Sequence, residues 1–196
     1  GINPFEMLKT KASDSEKISI LSKFLSVLIQ ENGEFSFSKD LRSQIEDSVS
    51  EYILSKPESP NLDDFFESAK TFPRRQLLKR WVKGGMYESA FKAVDAHNSY
   101  RPRLRYYNFS QVFQASDPEF AQAGIAAVLA QFNIDCIDAQ GKRLVLICDE
   151  TPFFIKSCFE FFKFSTANVR KYGHAVVLIS QLSTDLIVNG DTGIIE

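Results

Sequence analysis

The chain has 196 residues, 44% hydrophobic and 24% charged, with a formal net charge of −2; that suits one large globular domain, or a domain carrying an inserted lobe. A sequence pI of about 5.8 provides no global basic field to hold nucleic acid, so any such contact must be local. No uninterrupted apolar run is long enough to span a bilayer, and the start has neither the basic region nor the apolar stretch of a signal peptide.

In chain order, Ile2 to Phe5 is short and apolar, and Pro4 forbids a helix through it, so it reads as a strand. Residues 14–96 read as helical. Ile18, Leu21, Leu25 and Leu28 recur at three- and four-residue steps, with Gly33 just past the end. Ser38 is a good N-cap for a second helix through Leu41, Ile45, Val49, Tyr52 and Ile53, stopped by Pro57. Asn61 opens a third, with Leu62, Phe65, Phe66 and Ala69. Thr71, Phe72 and Pro73 open a fourth, with Leu77, Leu78 and Trp81, ended by Gly84 and Gly85.

The character changes at Arg103. Leu104 to Phe109 is aromatic and β-prone. Pro118 to Phe132 is Ala-rich and helical. Leu144 to Cys148 is a continuous apolar run, the pattern of a strand buried on both faces. Residues 152–172 are helical again, with Phe153, Phe154, Phe159, Phe161, Phe162 and Phe164 spread over most faces. Ala175 to Ile179 is a second apolar strand. Strand and helix in alternation signal a parallel sheet flanked by helices. Cys136, Cys148 and Cys158 are odd in number and sit among apolar residues, which reads as buried free thiols of a reducing cytoplasm. His97 and His174 have no evident partners.

The chemistry concentrates at RLVLICDE, residues 143–150. Five apolar residues form a strand, and Asp149 and Glu150 follow at its C-terminal end, where open α/β sheets bind ligands. One carboxylate there can hold a hydrated Mg²⁺, and its neighbour can orient and deprotonate a water for attack on a γ-phosphate. This is the logic of a Walker B strand. A plainer role is helix-start charge, with Thr151 as N-cap and Pro152 at N1. The second strand ends in Ser180 and Gln181, either a polar sensor or a simple turn. Arg170 and Lys171 end the intervening helix, either as dipole-favoured cations or as an arginine finger for a neighbouring subunit. Elsewhere, Arg74, Arg75, Lys79, Arg80 and Lys83 read as a solvated basic face or a contact to a channel partner or DNA. Arg101, Arg103 and Arg105 alternate along an extended segment, and Asp63 with Asp64 reads as first-turn helix charge.

The stretches RLVLICDET (143–151), NVRKYGHAVVLISQ (168–181) and STDLI (183–187) resemble the TraC-like ATPases of conjugation and type IV secretion systems, relatives of the HerA/FtsK group of hexameric motors. Upstream, Ile2-Asn3-Pro4, a helical insertion, and Trp81, Gly85 and Tyr87 follow the same order. The resemblance implies an α/β fold: part of a RecA-like P-loop NTPase parallel sheet with helices on both faces, plus an inserted all-α lobe. Residues 1–10 would be a strand of the truncated core, 11–100 the lobe, and 101–196 the C-terminal half of the core. It implies ATP and Mg²⁺ as cofactors, with Asp149 holding Mg²⁺ via water, Glu150 as base, Gln181 as γ-phosphate sensor, and Arg170, or else Lys171, reaching the nucleotide in trans. It implies self-association as a hexamer, inner-membrane and channel components of the secretion system as partners, and a cytoplasmic place at the bacterial inner membrane. The whole protein would couple ATP hydrolysis to pilus assembly and export. The phosphate-binding loop G-x-x-x-x-G-K-[ST] is absent, since Gly141-Lys142 runs into Arg143 and precedes a strand. The chain is therefore expected to begin after that loop, to stop before a last strand, and to be inactive alone. A non-catalytic interaction module and a DNA-translocating motor of the same superfamily are the other readings.

Overall fold

The computed structural model describes residues 2–31, 34, 36–91, 104–109, 117–139, 141–153, 155–188 and 190. Gly33, residues 92–96 of the expected helical stretch, His97, Arg101, Arg103 and Phe154 lie outside the described residues. The elements run in order as a 3₁₀ helix Pro4–Lys9, α1 Asp14–Leu28, α2 Lys39–Leu54, α3 Leu62–Ser68, α4 Arg75–Leu78, α5 Pro118–Ile137, β1 Val145–Cys148, a 3₁₀ turn Thr151–Phe153, α6 Phe159–Lys171, β2 Ala175–Leu178 and a 3₁₀ turn Ser183–Leu186.

The first three helices start where local chemistry directs. Ser13 and Glu16 form a reciprocal capping box at α1, satisfying two backbone donors that a helix start leaves open. Ser38 caps α2 and Asn61 caps α3 through their side-chain oxygens. Ile20, Leu21, Phe24, Leu25 and Leu28 form the buried stripe of α1, and α1 packs against both α2 and α5. Phe5, Tyr52, Phe65 and Phe72 link edge-on and tilted rings beneath this layer. Each such ring buries apolar surface worth about 1.5–3 kcal/mol.

Four expectations need correction. Ile2 to Phe5 is no strand: Asn3 caps a 3₁₀ helix that Pro4 begins, because proline's missing N–H costs nothing in the first turn. The fourth helix shrinks to the single turn α4. Arg74 adopts a left-handed conformation at φ 53°, and the residues after Leu78 form successive turns. Leu104 to Phe109 has no strand partner among the described residues and carries no regular structure. Instead it lies across α5, with Arg105 Nη1 2.7 Å from Asp135 Oδ2 and the Phe109 ring against Gly124, where an added Cβ would sit 2.6 Å from Cε1. The helix expected from residue 152 starts only at Phe159, after the 3₁₀ turn.

α5 is apolar on nearly every side, and twelve of its 20 residues are buried. By length and composition it could cross a membrane. Here it is a core helix instead, packed against α1 on one side and α6 on another. One contiguous apolar cluster runs from Phe5 through α1, α2, α3 and α5 to Phe161 and Phe162 of α6. The α5–α6 contact also holds a buried polar bridge. Asn133 Nδ2 donates to Leu129 O and to Ser165 Oγ, both at 2.8 Å, and Asn133 Oδ1 accepts from Asn168 Nδ2 at 3.1 Å.

β1 and β2 pair in parallel, Val145 beside Ala175 through Cys148 beside Leu178, joined by α6 as a βαβ crossover. The sheet of the described residues has these two strands. Helices cover one face, on which Leu146, Cys148, Val176 and Leu178 pack against the core. The expected burial on both faces is not found: Val145 is 57%, Ile147 64%, Val177 42% and Ile179 45% exposed. Cys136 and Cys158 are buried and Cys148 is half-buried, and all three are free. Burial pushes each thiol up to about 12.

Replacing Asn133 by Ala removes the acceptor of Asn168 and one of the two bonds of buried Ser165, which keeps its bond to Phe161 O. The expected loss is about 1–3 kcal/mol of unfolding free energy, read from the urea midpoint at unchanged slope.

Candidate functional site

The C-terminal ends of the two strands are tied together by backbone bonds. Ile179 N donates to Cys148 O at 2.8 Å, and Thr151 N donates to Ile179 O at 3.2 Å. Thr151 is fully buried, and its hydroxyl donates to Cys148 O at 3.0 Å. Thr151 is thus a clamp across the strand ends, not the N-cap of α6, whose N-cap position is Cys158. The clamp brings Asp149 and Glu150 to the same edge as Ser180 and Gln181.

Between strand and clamp the chain turns sharply. Glu150 sits at φ 53°, a left-handed conformation that a side chain of this kind rarely adopts. Its N–H donates to Asp149 Oδ1 at 2.9 Å. Both carboxylates are exposed. Ser180 and Gln181, adjacent in sequence, have different jobs. Ser180 Oγ donates to Asp185 Oδ2 at 2.8 Å, which also accepts from Leu182 N, so Ser180 holds the turn after β2. Gln181 is exposed, and its amide has no hydrogen-bond partner among the described residues.

Arg170 and Lys171 lie at the other end of the unit. α6 runs back from the carboxylate edge to the start of β2, and its 13 residues span about 20 Å. Neither cation therefore reaches Glu150 of its own chain. Lys171 is engaged, its Nζ 3.2 Å from Tyr172 Oη and 3.7 Å from Glu16 Oε1. The Arg170 guanidinium is exposed and has no partner among the described residues.

The turn after α6 is a Schellman motif, with His174 N donating to Val169 O, Gly173 N donating to Arg170 O, and Gly173 at φ 73°. His174 has partners after all: Nδ1 accepts from Leu144 N at 3.1 Å and Nε2 lies 3.0 Å from Cys136 O. Nε2 therefore carries the proton, and the ring pins β1 to the end of α5. Tyr172 stacks over His174 at 6.4 Å and donates its hydroxyl to Glu16. The sequence did not single out Glu16, Tyr172 or a role for His174, and it offered Thr151 only as a helix N-cap; the Ser13-x-x-Glu16 spacing was the readable signal for Glu16.

The donor set suits a cation that brings its own ligands. Among the described residues no group of three or more His, Cys, Asp or Glu could enclose a metal, and Mg²⁺ at a nucleotide needs only one or two carboxylates beside phosphate and water. Asp149 keeps one carboxylate oxygen clear of the bond from Glu150 N. The phosphate-cradling loop pattern G-x-x-x-x-G-K-[ST] does not occur in this sequence.

The basic face is mostly spent inside the molecule. Arg74 Nη2 donates to Glu34 Oε1 at 3.0 Å. Arg75 donates to Phe66 O and lies 3.6 Å over the Phe66 ring, and Arg80 pairs with Glu119. Lys79 and Lys83 remain exposed. Of the acidic pair, Asp64 accepts from Tyr52 Oη at 2.7 Å and Asp63 from Lys83 N at 2.6 Å.

No protein-family model matches the chain, and no curated protein does. Among solved structures its fold is similar to that of VirB4 of Thermoanaerobacter pseudethanolicus, with 17% identity and a TM-score of 0.66. The match covers 96% of this chain and 56% of that one, so the chain spans little more than half the length of its structural neighbour. The resemblance carried by RLVLICDET and NVRKYGHAVVLISQ thus has a counterpart in the fold of a type IV secretion ATPase.

The hydrogen bond from Tyr172, aided by Ser13 and Lys171 against the opposing effect of burial, lowers Glu16 from 4.5 to about 2. A depressed carboxylate contributes its stability above the unfolded value and loses it as pH falls through the folded one. The stability advantage of the natural chain over Glu16→Gln is therefore expected to be constant above pH 4.5 and to shrink between there and about 2. Thermal melts of both across that range check this.

Proposed function

We propose that the chain is the C-terminal part of the nucleotide-hydrolysing core of a type IV secretion ATPase. The whole protein would couple ATP hydrolysis to pilus assembly and export at the cytoplasmic face of a bacterial inner membrane. The observation that carries this reading is the VirB4-like fold over 96% of the chain, with two exposed carboxylates at the C-terminal end of its central βαβ unit. The neighbour is itself a type IV secretion ATPase. In a complete core, helices packed on the second face of the sheet would cover the apolar residues left bare here.

On this reading each residue has a distinct task. Mg²⁺-ATP, when bound, supplies the phosphoryl group to be transferred to water. Asp149 would hold the cation through water, and Glu150 would accept the proton of the attacking water. The left-handed backbone at Glu150 breaks the strand geometry directly after Asp149. Gln181 would contact the γ-phosphate side from the adjacent strand end. Arg170 would serve a neighbouring copy, because its place at the far end of α6 rules out its own site. Subunits of a hexameric ring would place it there.

The 196-residue chain is expected to show no ATP hydrolysis and no heat of ATP binding in calorimetry, since it has no loop of backbone N–H groups for the phosphates. Glu150-dependent turnover by this chain alone contradicts the reading. In a protein extended upstream to include the loop and downstream by one strand, Glu150→Gln is expected to lower Mg²⁺-dependent kcat by about 10²–10⁴-fold. A folded extended protein with no activity in either form points to a non-catalytic interaction module.

A further inference from the structure

Arg170 is the exposed cation at the end of α6 that has no partner among the described residues; its neighbour Lys171, also exposed, contacts Tyr172 and Glu16. We infer that Tyr172 and Glu16 are positioning residues for Arg170. Their hydrogen bond ties the end of α6 to the start of α1, occupies Lys171, and leaves the Arg170 guanidinium as the member of the pair that faces a neighbouring copy. This rests on the reading of Arg170 as a trans-acting residue.

The tie is fixed at both ends. Glu16 Oε2 accepts from Ser13 N at 2.9 Å and Ser13 Oγ at 2.7 Å, and Oε1 accepts from Tyr172 Oη. The carboxylate therefore cannot swing without breaking the capping box of α1. On the other side the Tyr172 ring rests on His174, which bridges β1 and the end of α5. Lys171 donates to Tyr172 Oη and lies 4.9 Å over the same ring, which draws its ammonium toward this cluster although the side chain stays exposed. Arg170, one residue earlier, points about 100° away around the helix. Its own carbonyl is bound by Gly173 N in the Schellman turn. The backbone beneath Arg170 is thus anchored to α1, α5 and β1, while its side chain has no partner among the described residues. Such a base suits a group that must enter another subunit's site, since error in its placement is paid in rate.

Tyr172→Phe removes the hydroxyl and keeps the ring on His174, so it isolates the tie. In the complete ATPase we expect it to lower kcat about tenfold or more with the KM for ATP near its original value. Its combination with Arg170→Ala should be no slower than Arg170→Ala alone. Mixing Tyr172→Phe subunits with Glu150→Gln subunits should raise turnover per Tyr172→Phe subunit, because each intact base then meets an intact arginine from its neighbour. Unchanged kcat in Tyr172→Phe beside a strong Arg170→Ala defect, multiplying losses in the double variant, or no gain on mixing overturns the positioning role. If Arg170→Ala itself leaves kcat unchanged, the trans-acting reading of Arg170 falls first, and the positioning role with it. Amide exchange on the 196-residue chain gives a second readout: Val169 to His174 should exchange faster in Tyr172→Phe than core amides of equal depth.

Discussion

The architecture depends on α5 being enclosed. A helix so uniformly apolar cannot lie on a surface, and here it receives α1 on one side, α6 on another and the Phe109 segment across Gly124. The helical N-terminal region and the βαβ unit consequently share one core. Apolar contact alone would allow α5 and α6 to slide. The Asn133–Ser165–Asn168 bridge favours one register, because a displacement would cost buried Asn133 its bonds to Ser165 and Asn168.

That register has a functional reading. α6 connects the two strands, so fixing α6 against α5 fixes where the strand ends stand. At one end, Thr151 locks β1 to β2 and presents Asp149, Glu150 and Gln181 along one edge. At the other, the Schellman turn and His174 hold the base of Arg170. The unit is two-ended, with an acidic and amide edge on one side and a guanidinium on the other. On the proposed reading, these unlike ends would meet between successive copies arranged head to tail.

Much of this was legible in the residues. The parallel βαβ unit follows from two apolar runs around a helical stretch, and the starts of α2 and α3 from Ser38 and Asn61. What escaped reading was non-local. Leu144 to Cys148 looks buried on both faces because its apolar run is continuous, and nothing in five residues reveals that only one face is covered in this chain. The basic cluster after Phe72 looks like a solvated face, yet Glu34, Phe66 and Glu119 absorb its arginines from distant positions, and Arg74 turns left-handed in doing so. His174 works through two backbone groups, which no side-chain pattern announces. Lys171 and Arg170 look interchangeable side by side, and only the arrival of Glu16 from α1 tells them apart.

The bare sheet face has a practical side. Val145, Ile147, Val177 and Ile179 are all β-branched, neighbouring and open to water, which is the composition of a surface that sticks to its own kind. None of the four is in the buried core. They are therefore the positions where threonine or lysine could make the isolated chain more soluble while leaving the helical core intact, keeping it monodisperse enough to be handled at high concentration.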